Sequence, residues 1–156
     1  MNLSRLLATD APAATILIRL MVGAVFLSEG IQKFLFPAEL GPGRFERIGF
    51  PDPAFWATFV GVLEIVAGSM VLLGLLTRLA AIALAIEMLV AIVTTKIPIL
   101  LGRDLGPFRV RELDMYGFWS MAHEARTDYA MLLGSLFLLI VGAGSWSLDA
   151  ALQRRT

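Results

Sequence analysis

Long apolar blocks dominate the chain, broken by short polar segments. Four blocks stand out, at about 13–36, 54–76, 79–101 and 128–145. Each approaches the roughly 20 mostly apolar residues that a helix needs to cross about 30 Å of hydrocarbon. Bare backbone groups find no water in a bilayer, so the blocks are expected to be helices rather than open strands. The first stops at Pro37, and the second follows Gly41-Pro42-Gly43 and Pro51-Asp52-Pro53. The second and third are separated only by Thr77-Arg78, which predicts a tight antiparallel hairpin. The expected fold is all-α: an integral membrane four-helix bundle forming a single membrane domain over 1–156.

An even number of spans puts both termini on one side and the segments 37–53 and 102–127 on the other. The second segment carries Phe108, Tyr116, Phe118 and Trp119, aromatics suited to the headgroup region. It is expected to be a partly ordered cap between helices 3 and 4. Cations lie on both sides: Arg5, Arg78, Arg154 and Arg155 towards the termini, against Arg44, Arg47, Arg103, Arg109, Arg111 and Arg126 in the loops. Their count would place the loops in the cytoplasm, but acidic residues crowd the same loops, and the orientation stays open. A weakly basic start and the segment Ser28-Glu29-Gly30-Ile31-Gln32-Lys33 argue for a retained first helix rather than a cleaved signal.

Composition agrees with the pattern. Hydrophobic residues make up 58% and charged residues 17% of the 156 residues, where a soluble domain runs near half and a quarter. Thirteen basic and thirteen acidic side chains cancel, so no net field favours nucleic acid. There is no Cys, which excludes disulfides, thiol catalysis and thiolate metal sites within the chain. One His cannot supply a bis-His haem or an all-His metal centre, and no covalent-cofactor or metal motif appears.

The informative residues are the charges inside the blocks, which are costly in hydrocarbon and normally face the bundle interior. They are Arg19, Glu29, Lys33, Glu64, Glu87 and Lys96. Arg19, Gly23, Phe26, Gly30 and Lys33 fall on one helical stripe. The small residues Gly23 and Gly30, with Gly61 and Gly68 beside Glu64, are expected to let helices approach closely. Asp128, Ser135 and Gly142 share a face of the fourth block.

At 1.5 Å rise per residue, Arg19 lies roughly 9 Å in from the terminal side, Glu87 roughly 12 Å and Glu64 roughly 18 Å. That predicts contact of Arg19 with Glu87 and, with tilt, with Glu64. Such a pair could equally fix helix register or serve a ligand. Lys33 and Lys96 are expected to snorkel to the membrane edge, and Glu29 to pair locally with Lys33. Thr127 and Asp128 suit an N-cap of the fourth helix. The alternative places His123, Glu124 and Asp128 at the bundle mouth, relaying protons or binding a headgroup. The methionines suit core packing.

The chain resembles the DoxX family of small four-helix bacterial membrane proteins. The resemblance rests on Arg19-Leu20-Met21-Val22-Gly23, Phe26, Gly30 and Lys33 before Pro37, Gly49-Phe50-Pro51, and Glu64 with Gly68. It continues through Leu73-Gly74-Leu75 before Thr77-Arg78, and Gly142-Ala143-Gly144 leading to Ser147-Leu148-Asp149. Tyr116-Gly117-Phe118-Trp119-Ser120-Met121-Ala122-His123-Glu124 resembles one subgroup. The resemblance implies a bacterial inner-membrane location and association with quinone-linked oxidation, other relatives being linked to thiol or oxidative-stress responses. It leaves open whether the chain is itself an enzyme. Three readings are open: a subunit binding a quinone or other lipophilic molecule at Arg19, Glu64 and Glu87; a small-solute or proton carrier; or a non-catalytic assembly factor. The bilayer is the expected partner in all three. A soluble redox partner belongs to the first reading, and self-association to the second.

Overall fold

The computed structural model describes Thr9 and residues 11–154; Arg5 and Arg155 of the charge comparison lie outside the described residues. Helix α1 runs Thr15–Leu35, α2 Pro42–Ile48, α3 Pro53–Leu73 and α4 Thr77–Ala91. A π-helical turn, Ile92–Lys96, joins α4 to α5, Ile97–Leu101. After an irregular segment come α6, Phe118–Val141, and the short α7, Leu148–Gln153. Among the described residues there is no strand, only an isolated bridge between Leu105 and Phe108.

Among the described residues, three helices are long and apolar enough to cross a membrane: Thr15–Leu35, Pro53–Leu73 and the continuous run Thr77–Leu101. Helix α6 has the length, with 24 residues, but its first half carries His123, Glu124, Arg126 and Asp128. The fourth block, expected at about 128–145, therefore begins ten residues earlier and ends at Val141. Thr127 and Asp128 lie in mid-helix and cap nothing. Charge at Glu124 and Asp128 marks a helix face turned to an internal cavity, not a break in the helix.

The ends of the elements follow from local chemistry. Asp52 accepts a hydrogen bond from Phe55 N (3.3 Å) and Pro53 occupies the first turn of α3. The chain leaves α3 through Gly74 (φ 65°) and enters α4 through Leu76 (φ 47°), both left-handed. The hairpin link is thus Gly74-Leu75-Leu76, and Thr77-Arg78, expected as the link, opens α4. Its exposed N–H groups are met by a distant carboxylate: Asp149 accepts from Leu76 N (2.7 Å) and Thr77 N (3.0 Å). The segment 37–53, expected as a loop, holds α2.

Pro98 accounts for the π turn. It has no N–H for a partner one turn back, and Ile97 N bonds instead to Ile92 O, five residues away. Thr94 and Thr95 hydroxyls donate to Val90 O (2.8 Å) and Ala91 O (2.6 Å). One extra residue in the turn rotates the helix beyond it by about 100°, and Lys96 ends up buried.

Helices α1 and α3 make the closest pairing, and α4 packs on α6. A Cβ on Gly23 would meet Gly68 O at 2.9 Å, and one on Gly30 would meet Gly61 O at 2.8 Å. The reciprocal positions are as close: Gly68 faces Leu27 N and Gly61 the ring of Phe34, both at 2.8 Å. The dry core holds Val22, Phe26, Val71, Leu84 and Leu138. Outward faces are also apolar, with Leu17, Val66, Ile86 and Ile140 more than half exposed, as a hydrocarbon solvent selects.

Candidate functional site

A cavity of about 740 Å³ opens among α1, α2, α3, α4 and α6. Its inner end holds Lys33, Glu64 and Glu87. Lys33 Nζ lies 2.5 Å from Glu64 Oε2, with the two side chains only 9% and 4% exposed, so water screens the pair little. The Glu87 carboxyl faces Glu64, and its Oε2 is buried with no hydrogen-bond partner among the described residues. Glu29 borders the same space. One ammonium thus stands against three carboxyl groups. Two carboxyl groups can face each other at close range by holding a proton between them.

Two further ion pairs lie along the cavity towards the loop side. Lys96 Nζ is 3.3 Å from Asp128 Oδ2, and Arg111 Nη1 is 3.2 Å from Glu124 Oε2. Glu124 and Asp128 are four residues apart, so one face of α6 supplies both acids. The outer end is aromatic. Phe50 packs on Phe45, Phe108 and Trp56 with ring centroids 5.1, 5.2 and 6.1 Å apart. Arg109 N donates to Ile48 O (2.8 Å), fastening the irregular segment to α2. The half-buried Arg44 of α2 turns inward here.

Several expected pairings are not made. Arg19 meets neither Glu87 nor Glu64. It is buried, and its guanidinium donates from Nε to Val71 O (2.9 Å), from Nη2 to Leu72 O (2.6 Å) and from Nη1 to Trp146 O (2.5 Å) and Ala143 O (3.3 Å). The last carbonyls of a helix have no partner within it and carry its negative dipole end. A planar cation with five donors satisfies those of α3 and of the chain beyond α6 together. Arg19 therefore joins helix ends and takes no part in the cavity.

Lys33 and Lys96 do not snorkel. Both are buried and paired, because α2 folds over the end of α1 and the π turn rotates Lys96 inward. Asp128 lines the cavity through its pair with Lys96, whereas His123 is exposed and lies outside the cavity wall. Arg44 in the cavity wall and Asp149 at the head of α4 are positions that sequence reasoning passes over. Asp149 is 1% exposed, and an acid so near the end of an apolar chain is the available signal for it.

The DoxX family profile matches residues 14–97, just over half of the chain. "Uncharacterized membrane protein Rv3486" of Mycobacterium tuberculosis is 58% identical over 151 residues, covering 97% of this chain and 88% of that one. "Putative oxidoreductase CatD" of Bacillus subtilis is 29% identical over 135 residues, covering 86% and 84%. No solved structure matches. The matched residues take in the first two membrane-length helices and most of the third, and the chain is a multi-pass membrane protein of the DoxX family.

Proposed function

We propose that the chain is a single membrane domain whose cavity binds a quinone or a similar lipophilic molecule in support of an oxidoreductase complex, with α6 as its fourth span. The observation that carries this reading is the Lys33–Glu64–Glu87 cluster at the inner end of an aromatic-walled cavity. Its volume suits a ring-sized ligand. Flat aromatic walls favour such a ring, and a lysine with two facing carboxyl groups offers donors and acceptors to a ring oxygen. Lys33 takes the place that sequence reasoning assigns to Arg19.

Reduction of a quinone to a quinol takes two electrons and two protons. The electrons would come from a soluble redox partner, and the protons from water by way of Glu64 and Glu87. The name of the Bacillus subtilis relative supports a redox setting for the family.

The test is titration of the detergent-purified protein with a short-chain quinone, followed by quenching of tryptophan fluorescence, Trp56 lying in the cavity wall. Saturable quenching that weakens at least tenfold in Glu64→Gln, with the melting midpoint measured alongside, is the expected result. Equal affinity in the two proteins would remove Glu64 from the site. Absence of saturable binding would remove the function.

A further inference from the structure

We infer that Arg44 is a second recognition point of this cavity, and that it selects ligands carrying a second acceptor oxygen besides the one that meets the Lys33–Glu64–Glu87 cluster. The inference rests on the quinone reading and adds to it a requirement on the ligand's outer edge. Of the four cations bordering the cavity, Lys33, Lys96 and Arg111 are each matched by a carboxylate. Arg44 is the remaining one, and among the described residues its guanidinium has neither an ion-pair nor a hydrogen-bond partner.

Its neighbour on α2 behaves differently. Arg47 is exposed and donates to Ala38 O (2.9 Å) and Glu39 O (2.8 Å), satisfying itself on the outer surface. Arg44 is half-buried and lines the cavity together with Phe50 and Trp56. A guanidinium keeps its charge at any ordinary pH and presents five donors and no acceptor. On a half-buried side chain beside aromatic rings, those donors call for an oxygen with lone pairs.

The two groups are carried by different helices: Lys33, Glu64 and Glu87 project from α1, α3 and α4, and Arg44 from the short α2 that begins against the backbone of Lys33. A ring with oxygens on opposite edges can present one to the Lys33–Glu64–Glu87 cluster and direct the other towards Arg44. A ligand with oxygen at one edge alone leaves one end unmet.

The experiment compares Arg44→Gln and Arg44→Lys with the wild type in phospholipid-free detergent, so that no lipid phosphate can occupy the arginine. Quinone affinity is measured by fluorescence, and the carbonyl stretching bands of the bound quinone by infrared difference spectroscopy. Arg44→Gln should weaken binding about tenfold or more, the worth of one charge-assisted hydrogen bond. It should return one of two shifted carbonyl bands to its free position and leave the melting midpoint unchanged. Arg44→Lys should recover part of the affinity.

Wild-type affinity and unchanged bands in Arg44→Gln would overturn the inference while leaving the quinone site standing. Weakened binding with both bands unmoved would also overturn it, since Arg44 would then act only through the shape of α2. No quinone binding by the wild type would overturn the inference together with the reading it rests on.

Discussion

Removing either partner of the Lys33–Glu64 pair should have unequal effects. Lys33→Met leaves Glu64, Glu87 and Glu29 around one cavity with no cation at its inner end. Breaking a buried pair on one side commonly costs about 3–5 kcal/mol, because the surviving charge is stranded. Glu64→Gln keeps an oxygen acceptor near Lys33 and leaves Glu87 and Glu29 to balance its charge. The loss there should be nearer that of one hydrogen bond to a charged group, about 1.5–3 kcal/mol. The double replacement Lys33→Met with Glu64→Met removes both charges and keeps similar volume. It should recover most of the loss and stand within about 1–2 kcal/mol of the wild type. The three variants and the wild type are compared by reversible unfolding in mixed detergent and SDS, with quinone titration on the same samples. A double variant that regains stability but not binding separates the two roles of the pair. If Lys33→Met is no less stable than Glu64→Gln, or the double variant is no more stable than Lys33→Met, the pairing argument fails.

Other sites give independent checks. Asp149→Ala removes the carboxylate that caps α4 through Leu76 N and Thr77 N, and should cost about 2–4 kcal/mol by the same unfolding assay. A loss below about 0.5 kcal/mol would show that water replaces the cap. Gly30→Ala drives a Cβ to within 2.8 Å of Gly61 O, where backbone has to move, and should cost about 1–3 kcal/mol. Pro98→Ala restores an N–H and lets the π turn rewind; rotation of Lys96 away from Asp128 should then lower stability in the unfolding assay, and unchanged stability would show that the turn does not hold the pair.

The sequence is most legible where a residue's setting depends on its own helix. Apolar length identifies the three helices able to cross a membrane, because composition there records the hydrocarbon outside. Helical phase puts Arg19, Gly23, Phe26, Gly30 and Lys33 on one stripe, and in the structure these residues are buried. Phase does not say what faces the stripe. Charge seeks charge, which points Arg19 at a carboxylate, yet its hydrogen-bond partners are four carbonyl oxygens, two in the last turn of α3 and two in the segment after α6. Every residue has a carbonyl, so a sequence carries no mark of such a site. Lys33 and Lys96 depart from expectation for a different reason. Snorkelling assumes an open path to the membrane edge, and α2 and the π turn close those paths. Pro98 marks the turn in the sequence, but nothing marks the side chain that the turn redirects.

The first half of α6 carries the sharpest lesson about charge in a membrane chain. Averaged along the sequence, His123 to Thr127 reads as the end of a loop. Arranged on a helix, the same stretch sorts itself: His123 and Arg126 face outward, while Glu124, Asp128 and Met131 line the cavity. A solvated loop has no need to separate its charges this way. The sorting has an energetic reason, since each inward acid meets a cation from another segment: Glu124 meets Arg111, and Asp128 meets Lys96. Those pairs bind α6 and the irregular segment before it to the rest of the chain. They leave the charges of the inner cluster and Arg44 as the groups still available to a ligand. Quinone affinity should therefore depend strongly on Lys33, Glu64 and Arg44 and little on Arg111, whose partner Glu124 is already supplied. Arg111→Gln with wild-type affinity is the expected outcome, and a loss as large as that of Arg44→Gln would mean that the outer pairs also belong to the binding site.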